Sequence, residues 1–305
     1  MKRIAIVIVS YNSSKDLPEC LRSVYSLQST VYRLKVIVVD NRSSDNSREV
    51  VKIFKDVELI KNKENLGFSE GNNVGIKLAV KNGADFVLLL NPDTKVDPNL
   101  ILELLKVAES REKIGILSPK IYFYPDFEFH KNRYKENEKG KVIWYAGGVI
   151  DWENILASHR GVDEVDNGQY DKMTETDFAT GATMMLKRKV FEKIGYFDEK
   201  FFLYLEDLDF SIRAKKAGFK IFYVPTAICW HKWARSAGGG SVLQDYYFTR
   251  NRLLFGLKYG SIRLKLALFR ESLKFLTSNG VKRKAVLDFY LRRFGKGSFK
   301  IQLFK

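Results

Sequence analysis

The stretch ADFVLLLNPDTKVDP, residues 84–98, joins an apolar run to a polar turn. The run from Phe86 to Leu90 has the length and composition of a strand that is buried on both faces, as in a parallel α/β sheet. The turn Asn-Pro-Asp at 91–93 then lies at the carboxyl end of that strand, the edge where open α/β sheets bind ligands. Asp93 is therefore a candidate to hold a metal ion against a phosphate, although Asn-Pro-Asp also suits a plain turn.

Three further apolar runs precede this stretch, at 4–9, 34–39 and 57–60, with helical patterns between them. The order β-α-β-α-β-α-β predicts an α/β fold with a right-handed, mostly parallel, doubly wound sheet. Each strand ends in a polar cluster, so we expect several clusters to gather along one edge. Later segments are predicted as strands at 114–117, 147–152, 177–186, 221–224 and 228–230, a helix at 206–217, a surface loop at 122–145 and a mobile loop at 233–241.

The net charge of +16 is spread unevenly over the 305 residues. Residues 250–305 carry a net charge of +13, which leaves +3 for residues 1–249. We therefore divide the chain into an α/β domain at 1–249 and a basic, amphipathic helical region at 250–305. That region alternates apolar and basic residues at near-helical spacing, which suits an anionic membrane surface. Helices that pack on the body or form a homodimer, with solvated charge, explain the pattern equally well.

The spacing of the cysteines and the amino-terminal sequence indicate in which cellular compartment the protein is located. Cys20 and Cys229 lie far apart and form neither a CxxC motif nor a disulfide ladder, which fits a reducing environment and argues against a cysteine zinc site. The apolar run after Arg3 is too short for a signal peptide, and no uncharged run reaches the length of a membrane span. We expect a cytoplasmic protein without a transmembrane helix.

Asp40 opens the turn DNRSSDNS at 40–47, after the second predicted strand. A carboxylate there can accept a hydrogen bond from a base N–H or a ribose hydroxyl, and the same turn can simply cap the next helix. The segment NLGFSEGNNVG at 65–75 is not a dinucleotide fingerprint, because that motif belongs in the first βα turn. We expect its glycines to allow close approach of a ligand, with Asn65 and Asn72 as side-chain contacts.

Glu206, Asp207 and Asp209 crowd the start of the predicted helix 206–217, where the helix dipole favours negative charge. Asp209 can form an ordinary ion pair with Arg213, four residues further on. Asp207 is then the better candidate for a general base. A charged first turn also occurs in helices for structural reasons alone.

His231 ends a predicted strand and precedes the glycine-rich loop. Its imidazole is a candidate to complete the coordination of a hard divalent ion that Asp93 holds in part. Four basic residues are candidates to neutralise a departing diphosphate: Lys232, Arg235, Arg250 and Arg252.

Taken together, the motifs over residues 3–255 resemble glycosyltransferase family 2, especially its bacterial and archaeal rhamnosyltransferase-like members. The motifs that carry the resemblance are, in order, IVIVSYN, VVDNRSSDNS, NLGFSEGNN, LLLNPDT, ATGATMMLKRKVFEKIGYFDEKFFLYLEDLDFSIRAKKAGFKI and the late His231. The resemblance implies a GT-A fold and inverting, metal-assisted transfer, with Mg²⁺ or Mn²⁺. The implied donor is a nucleotide-diphosphate sugar, either dTDP-rhamnose or a UDP-sugar. The implied acceptor is a hydroxyl of a glycan or of a polyprenyl-linked sugar in cell-surface polysaccharide synthesis.

The same resemblance assigns roles to individual residues. Asp93 stands where the family's DXD motif has its second aspartate and would be a metal ligand, with His231 as the second ligand. Asn91 stands where the first aspartate would be. Because an amide binds metal more weakly than a carboxylate, this departure implies modest metal affinity. Asp207 falls on the general-base position, with Glu206 beside it. The implied donor contacts are Ser10, Tyr11, Asn12, Asp40, Asn65, Gly71, Asn72, Asn91, Asp93, Gly181, Glu206 and Arg250.

Two other functions fit parts of the sequence. A nucleotidyltransferase would share the nucleotide-binding α/β sheet and would release pyrophosphate from a nucleoside triphosphate. A nucleic-acid-binding protein would use the basic region at 250–305 and bind in a salt-sensitive way, but it leaves the acidic clusters at the strand ends unexplained.

Overall fold

The structure is a computed structural model that describes residues 1–27, 29–130, 132–233 and 241–299. The strands in these residues are β1 (Lys2–Ser10), β2 (Tyr32–Asp40), β3 (Val57–Lys61), β4 (Phe86–Leu90), β5 (Thr94–Val96), β6 (Ile114–Phe123), β7 (Ile143–Tyr145), β8 (Gly148–Asp151), β9 (Leu156–His159), β10 (Thr174–Glu175), β11 (Thr183–Lys187) and β12 (Lys220–His231). The helices are α1 (Leu17–Tyr25), α2 (Ser47–Ile53), α3 (Gly67–Lys81), α4 (Leu100–Ser110), α5 (Arg188–Ile194), α6 (Glu206–Lys216), α7 (Val242–Tyr259), α8 (Ile262–Thr277) and α9 (Val281–Tyr290).

One large sheet organises the chain. Its strand order is β3-β2-β1-β4-β11-β6-β12-β10, with β5 added to β12 and β7 to β6. The strands β3, β2, β1 and β4 are parallel, and β11 runs antiparallel between β4 and β6. Ser10 pairs with Asp40 and Ile8 with Leu90, so the carboxyl ends of β1, β2 and β4 meet at one edge. The predicted mostly parallel, doubly wound α/β sheet is confirmed.

Alternate residues of the central strands face two separate apolar layers. In β1, Ile4, Ile6 and Ile8 belong to the larger core cluster, and Ala5 and Val7 belong to the second. All five residues of β4 are buried, which matches the continuous apolar run of the sequence. The strand that ends in Asn-Pro-Asp is thus covered on both faces and is held rigidly.

Two segments differ from the sequence-based expectations. The predicted strands 221–224 and 228–230 form a single strand, β12, with a register shift between Val224 and Ile228. Pro225 lies in this interval and has no N–H to donate to a ladder, so a bulge accommodates it. The predicted surface loop 122–145 contributes the end of β6 and the buried strand β7, because Trp144 and Tyr145 are apolar enough to complete the core.

The carboxyl-terminal helices pack on the body of the protein. Helix α7 starts at Val242, so the boundary predicted between residues 249 and 250 falls inside a continuous helix. Tyr246, Tyr247 and Phe255 of this helix are fully buried. Within the described parts of the chain, no helix is both long and apolar enough to span a bilayer.

Candidate active site

A cavity of about 280 Å³ lies at the edge where β4 ends, β11 begins and β12 ends. It brings together Asn91, Asp93, Gly181, Glu206, Asp207 and His231, all of which the sequence analysis proposed. The rest of its wall is formed by Phe68, Trp144, Ala157, His159, Phe178, Thr180, Ala182, Leu203, Tyr204, Leu205, Leu208, Trp233, Gln244 and Phe248. Residues that are distant in sequence therefore line one cavity.

Asp93 and His231 form a buried pair at this edge. The Nε2 atom of His231 lies 3.2 Å from Oδ1 of Asp93, and both side chains are less than a tenth exposed. Antiparallel pairing sets His231 opposite Thr94, and the N–H of Lys232 donates to the carbonyl oxygen of Asp93 at 2.9 Å. The ring of Trp144 packs edge-on against His231 at 4.5 Å. The pair is therefore fixed by main-chain pairing and by packing.

The donor atoms of this pair fit a divalent cation. A carboxylate oxygen and an imidazole nitrogen 3.2 Å apart match two adjacent ligands of one ion, which lie about 3 Å apart when each bond is about 2.1 Å. The Nδ1 atom of His231 is buried and has no hydrogen-bond partner among the described residues. No cluster of three His, Cys, Asp or Glu side chains suited to a metal occurs in the described ranges. Such a site relies on water and substrate phosphate for its other ligands.

Asp207 lies at the start of α6 and lines the same cavity as the pair. Its Oδ2 accepts a hydrogen bond from the N–H of Gly181 at 2.9 Å, and its Oδ1 accepts one from the N–H of Leu208 at 2.9 Å. Burial raises the pKa of Asp207, while these two N–H groups act in the opposite direction. The carboxylate is thus fixed in orientation and has more affinity for a proton than an exposed aspartate.

Glu206 is the more deeply buried neighbour. Its Oε2 has no hydrogen-bond partner in the described residues. Burial, and then the charge of Asp207, raise the pKa of Glu206 well above its ordinary value. Asp209 differs, since it accepts from Nε of Arg213 at 2.8 Å and from Nζ of Lys258 at 2.6 Å. The ion pair predicted between Asp209 and Arg213 is confirmed.

A turn in left-handed conformation leads into α6. Phe202, Tyr204 and Leu205 have φ of 62°, 70° and 69°, a region that costs energy for residues other than glycine. The turn is held by Asn251 of α7, whose Nδ2 lies 2.8 Å from the carbonyl oxygens of Phe201 and Leu203 and 2.9 Å from that of Tyr204. Helix α7 therefore holds the turn that leads to Glu206 and Asp207.

Arg250 has a different role from the predicted one. It is fully buried and does not line the cavity. Its Nη2 donates to the carbonyl oxygens of Lys200 and Phe201 at 3.1 Å, and its Nη1 donates to that of Gly295 at 2.7 Å. Since its donors are directed to main-chain carbonyls, Arg250 braces the turn before α6 and the end of the chain instead of contacting a diphosphate.

The other basic candidates are also engaged. Nζ of Lys232 lies 2.6 Å from Glu19 and 3.2 Å from Asp16, and Arg252 pairs with Glu271. Arg235 lies outside the described residues, as does most of the predicted loop 233–241.

Four of the proposed donor contacts do not line this cavity, namely Ser10, Tyr11, Asn12 and Asp40. Asp40 is buried and accepts hydrogen bonds from Nε of Arg48 at 2.6 Å and from the N–H of Ser43. Its carboxylate therefore stabilises its own turn and the start of α2. Asn12 accepts from the N–H of Ser44. Ser10 is buried at the end of β1, and Tyr11 beside it is half-buried. Binding of a base or ribose at this edge stays a prediction.

The glycine-rich segment also differs from expectation. A side chain at Gly71 would lie 2.8 Å from Nδ2 of Asn41, and one at Gly75 would lie 2.4 Å from Val7. These glycines therefore allow α3 to pack closely on the sheet, rather than admitting a ligand. Asn65 accepts from the N–H of Gly67, and Asn72 donates to the carbonyl of Phe68, so both support the start of α3.

Sequence reasoning missed the aromatic wall of the cavity. The rings of Trp144 and His159 meet edge to face, with their centroids 4.4 Å apart. Nδ1 of His159 lies 3.1 Å from the carbonyl oxygen of Trp144. Burial lowers the pKa of His159 to about 4, which keeps its ring neutral. Neither residue belongs to a motif. The only signal in the sequence that could have identified them is the scarcity of His and Trp in the chain.

Comparison with known proteins identifies the family and the fold. The sequence profile of Glycosyl transferase family 2 matches residues 5–195, and the chain belongs to that family. The structure superposes on GalNAc-T7 with UDP, GalNAc and Mn²⁺, with a TM-score of 0.60, 18% identity, and coverage of 95% of this chain and 57% of that chain. It also superposes on residues 1–349 of S. aureus TarS with UDP, with a TM-score of 0.54, 16% identity, and coverage of 96% of this chain and 71% of that chain. The fold is GT-A.

Two curated relatives are more similar in sequence. The low-salt glycan biosynthesis hexosyltransferase Agl10 of Haloferax volcanii is 31% identical over 219 residues, which cover 72% of this chain and 63% of the relative. An N-acetylglucosaminyl-diphospho-decaprenol L-rhamnosyltransferase of Mycobacterium tuberculosis is 27% identical over 245 residues, which cover 77% of this chain and 78% of the relative. The match thus spans less than two thirds of the length of Agl10.

Proposed function

We propose that this chain is an inverting glycosyltransferase that moves a hexosyl group from a nucleoside-diphosphate sugar to a hydroxyl of its acceptor. The observation that carries the proposal is the single cavity that both Asp207 and the Asp93–His231 pair line. Inversion needs a base behind the attacking hydroxyl and stabilisation of the leaving group on the opposite face of the sugar. The arrangement supplies both in a chain of family 2.

Asp207 is the general base. Its raised pKa increases its affinity for the proton of an acceptor hydroxyl, and the N–H groups of Gly181 and Leu208 keep the carboxylate aimed into the cavity. Burial and the charge of Asp207 raise the pKa of Glu206, which favours its neutral form beside the base. The hydroxyl oxygen attacks the anomeric carbon directly, and no covalent intermediate with the protein forms.

Asp93 and His231 would hold a divalent cation, Mg²⁺ or Mn²⁺. When bound, such an ion offsets the negative charge that develops on the departing nucleoside diphosphate. The two side chains are already buried and fixed, so they orient the donor without rearrangement. The structure of GalNAc-T7 with UDP and Mn²⁺ supports this choice of cofactor.

The relatives guide the choice of substrates. We propose dTDP-rhamnose or a UDP-sugar as the donor and a glycan or polyprenyl-linked sugar as the acceptor, in cell-surface polysaccharide synthesis. Support comes from two relatives in sequence: one is an N-acetylglucosaminyl-diphospho-decaprenol L-rhamnosyltransferase, and the other, Agl10, is a hexosyltransferase of glycan biosynthesis. We place the enzyme in the cytoplasm, where the two buried free thiols, Cys20 and Cys229, stay reduced.

The test is a panel of UDP-, dTDP- and GDP-sugars incubated with the protein, Mg²⁺ or Mn²⁺ and lipid-linked or soluble sugar acceptors. We expect release of nucleoside diphosphate from one donor class, dependent on the metal and on Asp207. Release of pyrophosphate from a nucleoside triphosphate, with none from the nucleotide sugars, would instead identify a nucleotidyltransferase.

A further inference from the structure

Helix α8 has two apolar faces, and only one of them is packed against the protein. Leu264 and Leu268 are buried, and Leu268 lies so close to α7 that a side chain at Gly256 would come within 2.1 Å of its Cδ1. The opposite face exposes an apolar row at helical spacing. Its members are exposed by 79% (Ile262), 56% (Leu266), 51% (Phe269) and 44% (Leu273). The close contact with α7 fixes this row on the outside of the molecule.

Cations border the exposed row, and the few carboxylates of the region are directed elsewhere. Residues 250–305 contain two acidic side chains, Glu271 and Asp288. Glu271 pairs with Arg252, and Asp288 is buried, where it accepts hydrogen bonds from Tyr246 and Ser298. The basic residues of α8 are Arg263, Lys265, Arg270 and Lys274. The outer face of α8 is thus an apolar row with positive charge around it.

Helix α9 carries further exposed apolar residues near its end. The hydroxyl of Tyr290 lies 2.6 Å from Oγ of Ser272, so the end of α9 contacts α8. Close to that contact, Leu287, Tyr290 and Leu291 are exposed by 41%, 43% and 57%. Arg292 and Arg293 follow directly and are also exposed. Exposed apolar residues and cations therefore also occur at the end of α9, beside its contact with α8.

We propose that this outer face of α8, together with the end of α9, binds the surface of an anionic lipid bilayer. A helix with an apolar row bordered by Lys and Arg lies in the bilayer interface, where acyl chains accept the row and anionic headgroups meet the cations. A second copy of the chain fits less well, because a symmetric contact would bring the same cations together. Nucleic acid would use the cations but would leave Ile262, Leu266 and Phe269 in water.

The test is sedimentation of the full-length protein with vesicles of phosphatidylcholine alone or with phosphatidylglycerol added. We expect binding to the vesicles with phosphatidylglycerol, weakened by salt, and little binding to phosphatidylcholine alone. The double change Leu266→Ser and Phe269→Ser should weaken that binding about a hundredfold, since two large apolar side chains are lost from the interface. A matched control, Ile53→Ser with Leu156→Ser, alters two exposed apolar residues on α2 and β9 and should bind as the unchanged protein does.

The test needs neither donor nor acceptor, so its result is independent of the proposed transfer activity. Equal vesicle binding by the Leu266→Ser, Phe269→Ser variant and the control would overturn the proposal. So would a dimer that the same variant abolishes in the absence of lipid. Salt-sensitive binding to RNA without vesicle binding would likewise refute it and identify nucleic acid as the partner.

Discussion

At the scale of single residues, Asp207 combines two N–H donors with burial, and this combination suits a base. Replacing it by Asn keeps the shape but removes the proton acceptor. Asp207→Asn should lower kcat by about a hundredfold or more and leave donor binding unchanged by calorimetry. The control is Asp56→Asn, since Asp56 is exposed and its φ of 67° suits asparagine. A variant at Asp207 with full activity would remove this residue from the mechanism.

The raised pKa of Asp207 also links activity and stability to pH. The base must be ionised, so kcat should fall as the pH falls through that raised pKa, above the range of an ordinary aspartate. Because the folded pKa exceeds the unfolded one, the contribution of Asp207 to stability is complete below the unfolded pKa and is lost as the pH rises through the folded pKa. Asp207→Asn should therefore melt at or above the temperature of the unchanged protein at neutral pH, with the difference vanishing in acid.

Substitution of Glu206 tests which of the two neighbouring carboxyl groups, Glu206 or Asp207, carries a proton. If it holds its proton at neutral pH, glutamine reproduces its shape and charge. Glu206→Gln should keep most of the kcat, whereas Glu206→Ala, which leaves a void beside Asp207, should lose much more. A loss for Glu206→Gln as large as for Asp207→Asn would show that Glu206 acts as a carboxylate.

At the scale of elements, helix α7 supports the turn before α6 through Asn251. Asn251→Ala would leave the carbonyls of Phe201, Leu203 and Tyr204 without their donor, at a cost of about 1–3 kcal/mol in the free energy of unfolding. The turn before α6 would then move, so we expect kcat to fall while the donor Kd stays constant. Asn167→Ala, at an exposed asparagine, is the matched control. Loss of stability with unchanged kcat would limit Asn251 to a structural role.

At the scale of the whole molecule, the last helices and the sheet form one unit. Nζ of Lys258 and the hydroxyl of Tyr259, at the end of α7, both contact Asp209 of α6. A chain that ends at residue 249 loses these contacts together with Arg250 and Asn251, while a chain that ends at residue 260 keeps α7. We expect the shorter chain to lose both its cooperative melting transition and its activity, and the longer one to retain a transition at a lower temperature. Full activity of the shorter chain would refute this coupling.

The amino-acid sequence by itself determined the sheet and the carboxylates of the site. Apolar runs closed by polar turns specify parallel strands and their common edge, so Asn91, Asp93, Glu206, Asp207 and His231 could be proposed from local pattern. Tertiary structure alone decided the rest. The aromatic wall at Trp144 and His159 depends on strand additions distant in sequence, and the role of Arg250 depends on which carbonyls surround it. Strands and turns depend on residues that are adjacent in sequence. The contacts of a buried charge or ring are fixed only when segments remote in sequence pack together.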